Sequence, residues 1–190
     1  KLANNSETWA TRDSLKAAGV NINNNFFDPT AQVDERALAS IKKTDVMTIG
    51  ISNWPIGIRS NPAGEEGLQT RAALYSFGAL LRRAAAVRMD IEDKELKVGY
   101  RVIPDPSGGI VGQIFLSDTL ENGAGYASFF GQPNEAKKLL EFITGQDPDT
   151  SFYDYLVGCQ HSTDCLTSCP DCLRDFSNLQ FHPILDWRLG

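Results

Sequence analysis

The sequence predicts an α+β fold, a mixed sheet with packed helices that ends in a cysteine-rich element. Three observations predict it. Short β-branched, apolar runs at residues 45–51, 95–103 and 110–117 sit among stretches of helical periodicity. Their order, β, α, β, β, α, α, has no internal repeat and does not alternate as a parallel α/β sheet would. All four cysteines, Cys159, Cys165, Cys169 and Cys172, fall in one short segment, and none precedes it.

The elements follow in order. Residues 1–43 read as an Asn-rich N-terminal connecting segment, with a loop at 21–25 and one short helix over 34–43. Residues 44–150 read as the α+β domain. Its first strand, 45–51, is stopped by Asn53, Pro55 and Gly57. After a loop rich in Gly, Pro and Asn comes the clearest helix, 67–89, where Leu74, Phe77, Leu81 and Ala85 recur at three- and four-residue steps and define one buried stripe. Arg71, Arg82, Arg83 and Arg88 ride on it and are expected on the surface, solvated or paired, with some of them alternatively turned to a nucleic-acid backbone. Strands 95–103 and 110–117 are joined by Pro104-Asp105-Pro106-Ser107-Gly108-Gly109, whose turn residues suit a hairpin. A second helix is expected within the stretch from Asp118 to Tyr126, and a third over 134–144, with Ala136, Leu139, Leu140 and Ile143 on one side. Residues 151–190 form the metal-binding element.

Composition bounds the function. With 190 residues, 42% hydrophobic and 22% charged, the chain can bury a core and is not disordered as a whole. Its most apolar stretch, 79–87, is broken by Arg82 and Arg83, far short of the ~20 apolar residues of a spanning helix. A net charge of −6 argues against a non-specific nucleic-acid coat, though local basic patches stay open. The polar start, without an initiator Met, reads as a piece of a longer protein. With no secretory signal in these residues, a reducing cytoplasm is expected, where thiols stay free and clustered cysteines signify metal more than disulfides.

The cysteines read Cys159-x5-Cys165-x3-Cys169-x2-Cys172. Four thiolates complete a closed tetrahedral zinc site, and the x2 step lets two sulfurs meet one ion across a tight turn. Such a site is structural, because no coordination position stays open for a catalytic water. An iron–sulfur cluster takes the same ligands. Zinc is favoured on ligand chemistry. His161 and His182 could substitute as ligands or support them from behind, but the expected reading of a lone histidine is one that is simply packed or exposed.

Two other motifs stand out. Gly123-Ala124-Gly125 superficially resembles a phosphate-cradling loop, but Ser128 stands where a dinucleotide fingerprint needs its third Gly, and close packing or left-handed backbone is the expected role. The alternative has its amides touching a nucleic-acid phosphate. Glu95-x-Lys97 matches the end of a metal-dependent nuclease signature, although a charged strand edge is the expected reading. No complete active site is visible.

Taken together, residues 44–49, the helix 73–86 with Arg82 and Arg83, the segment from Asp118 to Tyr126, the block Cys169-x2-Cys172-Leu173-Arg174-Asp175-Phe176-Ser177-Asn178, and His182 with Leu185-Asp186-Trp187-Arg188 resemble the MrfA zinc-binding family. That family is the C-terminal domain of large superfamily-two DEAD/DEAH-box helicases and occurs in DrmB-type phage-defence proteins. The resemblance implies an accessory part of a DNA-translocating machine, in repair or antiviral defence, whose helicase motifs lie elsewhere in the parent chain or on a partner protein. Cys159, Cys165, Cys169 and Cys172 match its metal ligands, and Asp171 replaces an aromatic residue frequent before the last cysteine. DNA is the expected partner, with Arg82, Arg83, Gly123, Gly125 and Arg174 as candidate contacts. The rivals are a nuclease using Glu95 and Lys97, and a protein-binding adaptor.

Overall fold

A computed structural model describes residues 41–190 apart from 55, 56 and 107, and for 159 and 160 the backbone alone. The connecting segment and the helix expected over 34–43 lie, but for their last residues, outside the described ones.

Strand β1 (Val46–Gly50) precedes the long helix α1 (Leu68–Met89), which is entered through a 3-10 turn at Glu65–Gly67. Gly67 is required there, because a Cβ would stand 2.4 Å from the Pro62 backbone. Asp90 takes the left-handed conformation past the end of α1 and donates its amide to the Ala86 and Val87 carbonyls. Strands β2 (Leu96–Pro104) and β3 (Ile110–Asp118) follow as a hairpin. Its turn closes through amide-to-carbonyl bonds from Asp105 to Gly109 and from Gly108 to Asp105. Helices α2 (Tyr126–Phe130), α3 (Pro133–Thr144), α4 (Ser151–Val157) and α5 (Cys159–Asp164) come next, and the chain ends in 3-10 turns at Phe176–Ile184 and Trp187–Leu189.

The fold is α+β as expected, but the sheet is antiparallel rather than mixed. Its order is β1-β3-β2, with Ile114 opposite both Ile49 and Tyr100. Helix α1 carries the chain from β1 across to the opposite edge strand β2, and β3 then fills the place between them.

Helix α1 is buried on more than its expected stripe. Of that stripe Leu74, Leu81 and Ala85 are buried and Phe77 only partly so, while Ser76, Leu80, Ala84 and Ala86 are buried as well. The sheet packs on one side, with Gly78 against Val98 and Ile114. The C-terminal segment covers another: the Asp186 amide donates to Ser76 Oγ, and a Cβ on Gly190 would meet Leu80. Arg82 faces this segment, buried and ion-paired with Asp175. A single hydrophobic core therefore runs from Met47, Leu116 and Leu74 through Phe142 and Leu156 to Cys165, Cys172, Leu173 and Leu185. Residues 42–190 form one compact unit. No described helix is long and apolar enough to cross a membrane.

The second helix starts late. After Asp118 the chain loops to Gly125, because the buried Asp118 carboxylate accepts the amides of Ala124 (2.6 Å), Gly125 (2.7 Å) and Ala127 (2.8 Å). Those bonds satisfy donors at the start of α2 that no earlier turn can serve. Gly123 and Gly125 both have positive φ, and a Cβ on Gly123 would strike the Asp45 carboxylate.

Candidate metal centre

The C-terminal segment gathers polar ligands by local geometry. Helix α5 ends when the Cys165 amide bonds the His161 carbonyl at 2.8 Å, so residues four apart, His161 and Cys165, share one side of that turn. Four residues beyond Cys165 a turn forms around the Cys169 carbonyl, which accepts the amides of Cys172, Leu173 and Arg174 at 2.9–3.2 Å. The Cys169 amide in turn points at Cys172 Sγ, 3.1 Å away.

These turns bring together His161, Cys165, Cys169 and Cys172, whose donor atoms all lie within 4.8 Å of one another. Cys172 Sγ is 3.6 Å from Cys169 Sγ and 3.8 Å from Cys165 Sγ, and His161 Nε2 is 3.6 Å from Cys169 Sγ. Three of the cysteines are free thiols. A disulfide needs ~2.05 Å. Around a tetrahedral ion with bonds of ~2.3 Å to sulfur and ~2.05 Å to nitrogen, sulfurs stand about 3.8 Å apart and sulfur and nitrogen about 3.6 Å apart. The Cys172–Cys169, Cys172–Cys165 and His161–Cys169 distances lie close to those lengths.

His161 is oriented for the task. Its Nδ1 lies 2.9 Å from the Leu156 carbonyl oxygen, which places the proton on Nδ1 and leaves the Nε2 lone pair aimed at Cys169. Tyr155 and Trp187 pack beside the ring, and Trp187 Nε1 donates to the Cys165 carbonyl at 3.0 Å. His161, Cys165 and Cys172 are buried, and Cys169 is partly so.

Burial and the packed thiols set the electrostatics. Burial above all pushes the Cys172 thiol up to about 12, and raises Cys165 as well. Burial also opposes ionisation of Cys169, but its contacts with His161 and Cys172 and with the Asp171 amide outweigh it and lower that thiol. Charge in the metal-free set therefore concentrates on Cys169, while the other two thiols hold protons that a cation would displace.

The sequence-predicted residues fall as follows. Cys165, Cys169 and Cys172 come together; the side chain of Cys159, at the start of α5, lies outside the described ones. His161, considered only as a substitute, completes the group, and its His161-x3-Cys165 step on a helical turn was the available signal. His182 is elsewhere, bonded to Asn178 Oδ1 at 2.8 Å. Of the candidate nucleic-acid contacts, Arg82 is turned inward to Asp175, Arg83 pairs with Asp93, and Arg174 Nε donates to Ser168 Oγ at 2.9 Å. The Gly125 amide is spent on Asp118, and that of Gly123 bonds the Leu120 carbonyl. Glu95 reaches the Glu92 amide and the Tyr126 hydroxyl, and Lys97 is exposed on β2. Among the described residues the His161 group is the one cluster of three or more Cys, His, Asp or Glu able to hold a metal ion.

Fold and site together define an α+β domain with a buried three-cysteine, one-histidine cluster that could hold a metal ion. Its sequence is 34% identical over 121 residues to the Druantia protein DruE of Escherichia coli (strain UMEA 4076-1), a match covering 62% of this chain and 6% of that protein. The chain thus spans a small fraction of the relative's length. No protein-family model matches it, so membership of the MrfA zinc-binding family is not shown, and no solved structure matches it.

Proposed function

We propose that this chain is a zinc-stabilised accessory domain of an antiviral defence protein, acting in the reducing cytoplasm and supporting DNA engagement or partner docking by a helicase in the same parent chain or bound to it. The observation that carries the metal reading is the gathering of His161 Nε2 and the sulfurs of Cys165, Cys169 and Cys172 within 4.8 Å of one another, with three of the pairs at 3.6–3.8 Å. Zinc suits mixed thiolate and imidazole donors, whereas an iron–sulfur cluster would interpose inorganic sulfide and hold its ligands farther apart. The similarity to a Druantia protein supports the defence role.

Four protein ligands leave no position for a reacting water, so the ion would serve as a clamp and not as a catalyst. Bound there, zinc would tie α5 to the turn at 169–172 and hence the C-terminal segment to α1. The nuclease alternative has less support, since Glu95 is engaged with the Glu92 amide and the Tyr126 hydroxyl and belongs to no group of three or more metal-ligating side chains among the described residues. Docking of a protein partner is favoured by a specific observation: Leu166 is 77% exposed and Phe176 89% exposed, both close in sequence to the metal ligands.

Elemental analysis of the purified protein tests the reading, with about one zinc per chain expected. Chelation should then expose residues 159–190 to protease. A brown protein with visible absorbance would replace zinc by an iron–sulfur cluster. DNA binding measured at two salt concentrations, beside pull-down of the helicase, separates the two supporting roles.

A further inference from the structure

Helix α1 covers one face of the sheet. By strand alternation the other face carries three rows, Val46–Ser117–Lys97, Thr48–Phe115–Gly99 and Gly50–Gln113–Arg101. These rows contain no Asp or Glu, although the chain as a whole carries a net charge of −6. Val46, Thr48, Lys97 and Arg101 are exposed.

Phe115 stands at the centre of this face on the central strand. A Cβ at position 99 would lie 2.8 Å from its ring, so glycine there is what lets the ring extend across the neighbouring strand. Arg101 Nε donates to Gln113 Oε1 at 2.7 Å, which steadies the guanidinium along the sheet, and Arg101 forms no ion pair with another described residue. Lys97 has no hydrogen bond or ion pair with a described residue. The contrast with α1 is sharp: Arg82, Arg83 and Arg88 are neutralised by Asp175, Asp93 and Asp147. Lys97 and Arg101 are four residues apart on β2, about 13 Å by the strand rise, and flank the aromatic ring.

We infer that this face is a binding platform for single-stranded DNA, with a base stacked on Phe115 and backbone phosphates held by Lys97 and Arg101. Stacking needs a base whose face is free, which a duplex does not offer, and any base serves. The inference rests on the DNA-engagement reading above and names its surface and its strand form. The nucleic-acid contact then lies on the open side of the sheet and not on the arginines of α1 or the glycines of the 123–125 loop.

The test is fluorescence anisotropy of the 190-residue protein with a labelled oligothymidine and with a duplex of equal length at low salt. The single strand should bind more tightly. Phe115→Ala should weaken it about five- to hundredfold, Phe115→Trp should retain it, and the surface double variant Lys97→Glu/Arg101→Glu should weaken it while flattening the salt dependence. Zinc content and thermal melting confirm that each variant is folded. If the wild-type protein binds the strand and both the Ala and the Glu variants bind equally well, the platform is overturned while DNA engagement stands. If the wild-type protein binds neither DNA, the DNA-engagement reading falls and the platform with it.

Discussion

His161 Nδ1 lies 2.9 Å from the carbonyl oxygen of Leu156, five residues earlier, so the backbone of α4 selects the imidazole tautomer whose Nε2 faces the thiols. The ring is thus a prepared ligand, gathered with the three thiols into one group that could hold an ion. His161→Ala should lower zinc affinity by more than the ~10–100-fold that loss of a supporting contact costs. Cys159→Ser should leave zinc bound. Competition with a chromophoric chelator measures both.

Zinc binding should depend on pH with a definite sign. The thiols of Cys172 and Cys165 are raised, chiefly by burial, so they are protonated at neutral pH and the ion must displace their protons. Affinity should therefore climb as pH rises across the neutral range, with release of about two protons per ion. Calorimetry in buffers of different ionisation enthalpy counts them. An affinity flat with pH would mean that the thiols are already ionised.

Much of the fold was legible because its signals are local. The β-branched runs became β1, β2 and β3 to within a residue or two, and Pro133 and Gly145 bracket α3 as start and stop residues should. What was not legible depends on distant partners. The inward turn of Arg82 requires Asp175, ninety-three residues on. The late start of α2 requires a carboxylate at 118 that competes for its first amides, and the burial of Leu80 requires the chain terminus to return over α1. In the site, three cysteines were evident from spacing, but His161 acquires its role from a backbone carbonyl that no side-chain pattern records.

The Arg82–Asp175 pair should be asymmetric under mutation. Asp175→Ala strands a guanidinium that is 7% exposed, at a cost of about 3 kcal/mol, whereas Arg82→Met leaves a carboxylate still held by Ser177 and costs less. Burial pushes the Asp175 carboxyl up, but hydrogen bonds from Ser177 and Arg82 and the charge of Arg82 outweigh it and hold the group below its ordinary value. A depressed acid stabilises the fold above its unfolded pKa of ~3.9 and loses that contribution as pH falls through the lower folded value. Urea melts between about pH 2 and 5 should show that acid slope, and Asp175→Ala should reduce it.

Asp118→Asn should destabilise the protein by about 2 kcal/mol or more. The amide supplies one acceptor where the carboxylate accepts three N–H bonds, and its NH2 would confront a backbone donor. Thermal melting reads the loss, and an unchanged midpoint would mean that the loop 119–125 closes without this carboxylate.

X-ray absorption at the zinc edge of the purified protein reads the ligand shell directly. One nitrogen at about 2.0–2.1 Å and three sulfurs at about 2.3 Å is the expected shell, with the nitrogen lost in His161→Ala. Four sulfurs and no nitrogen would show that Cys159 holds the fourth position and would contradict the assignment of His161.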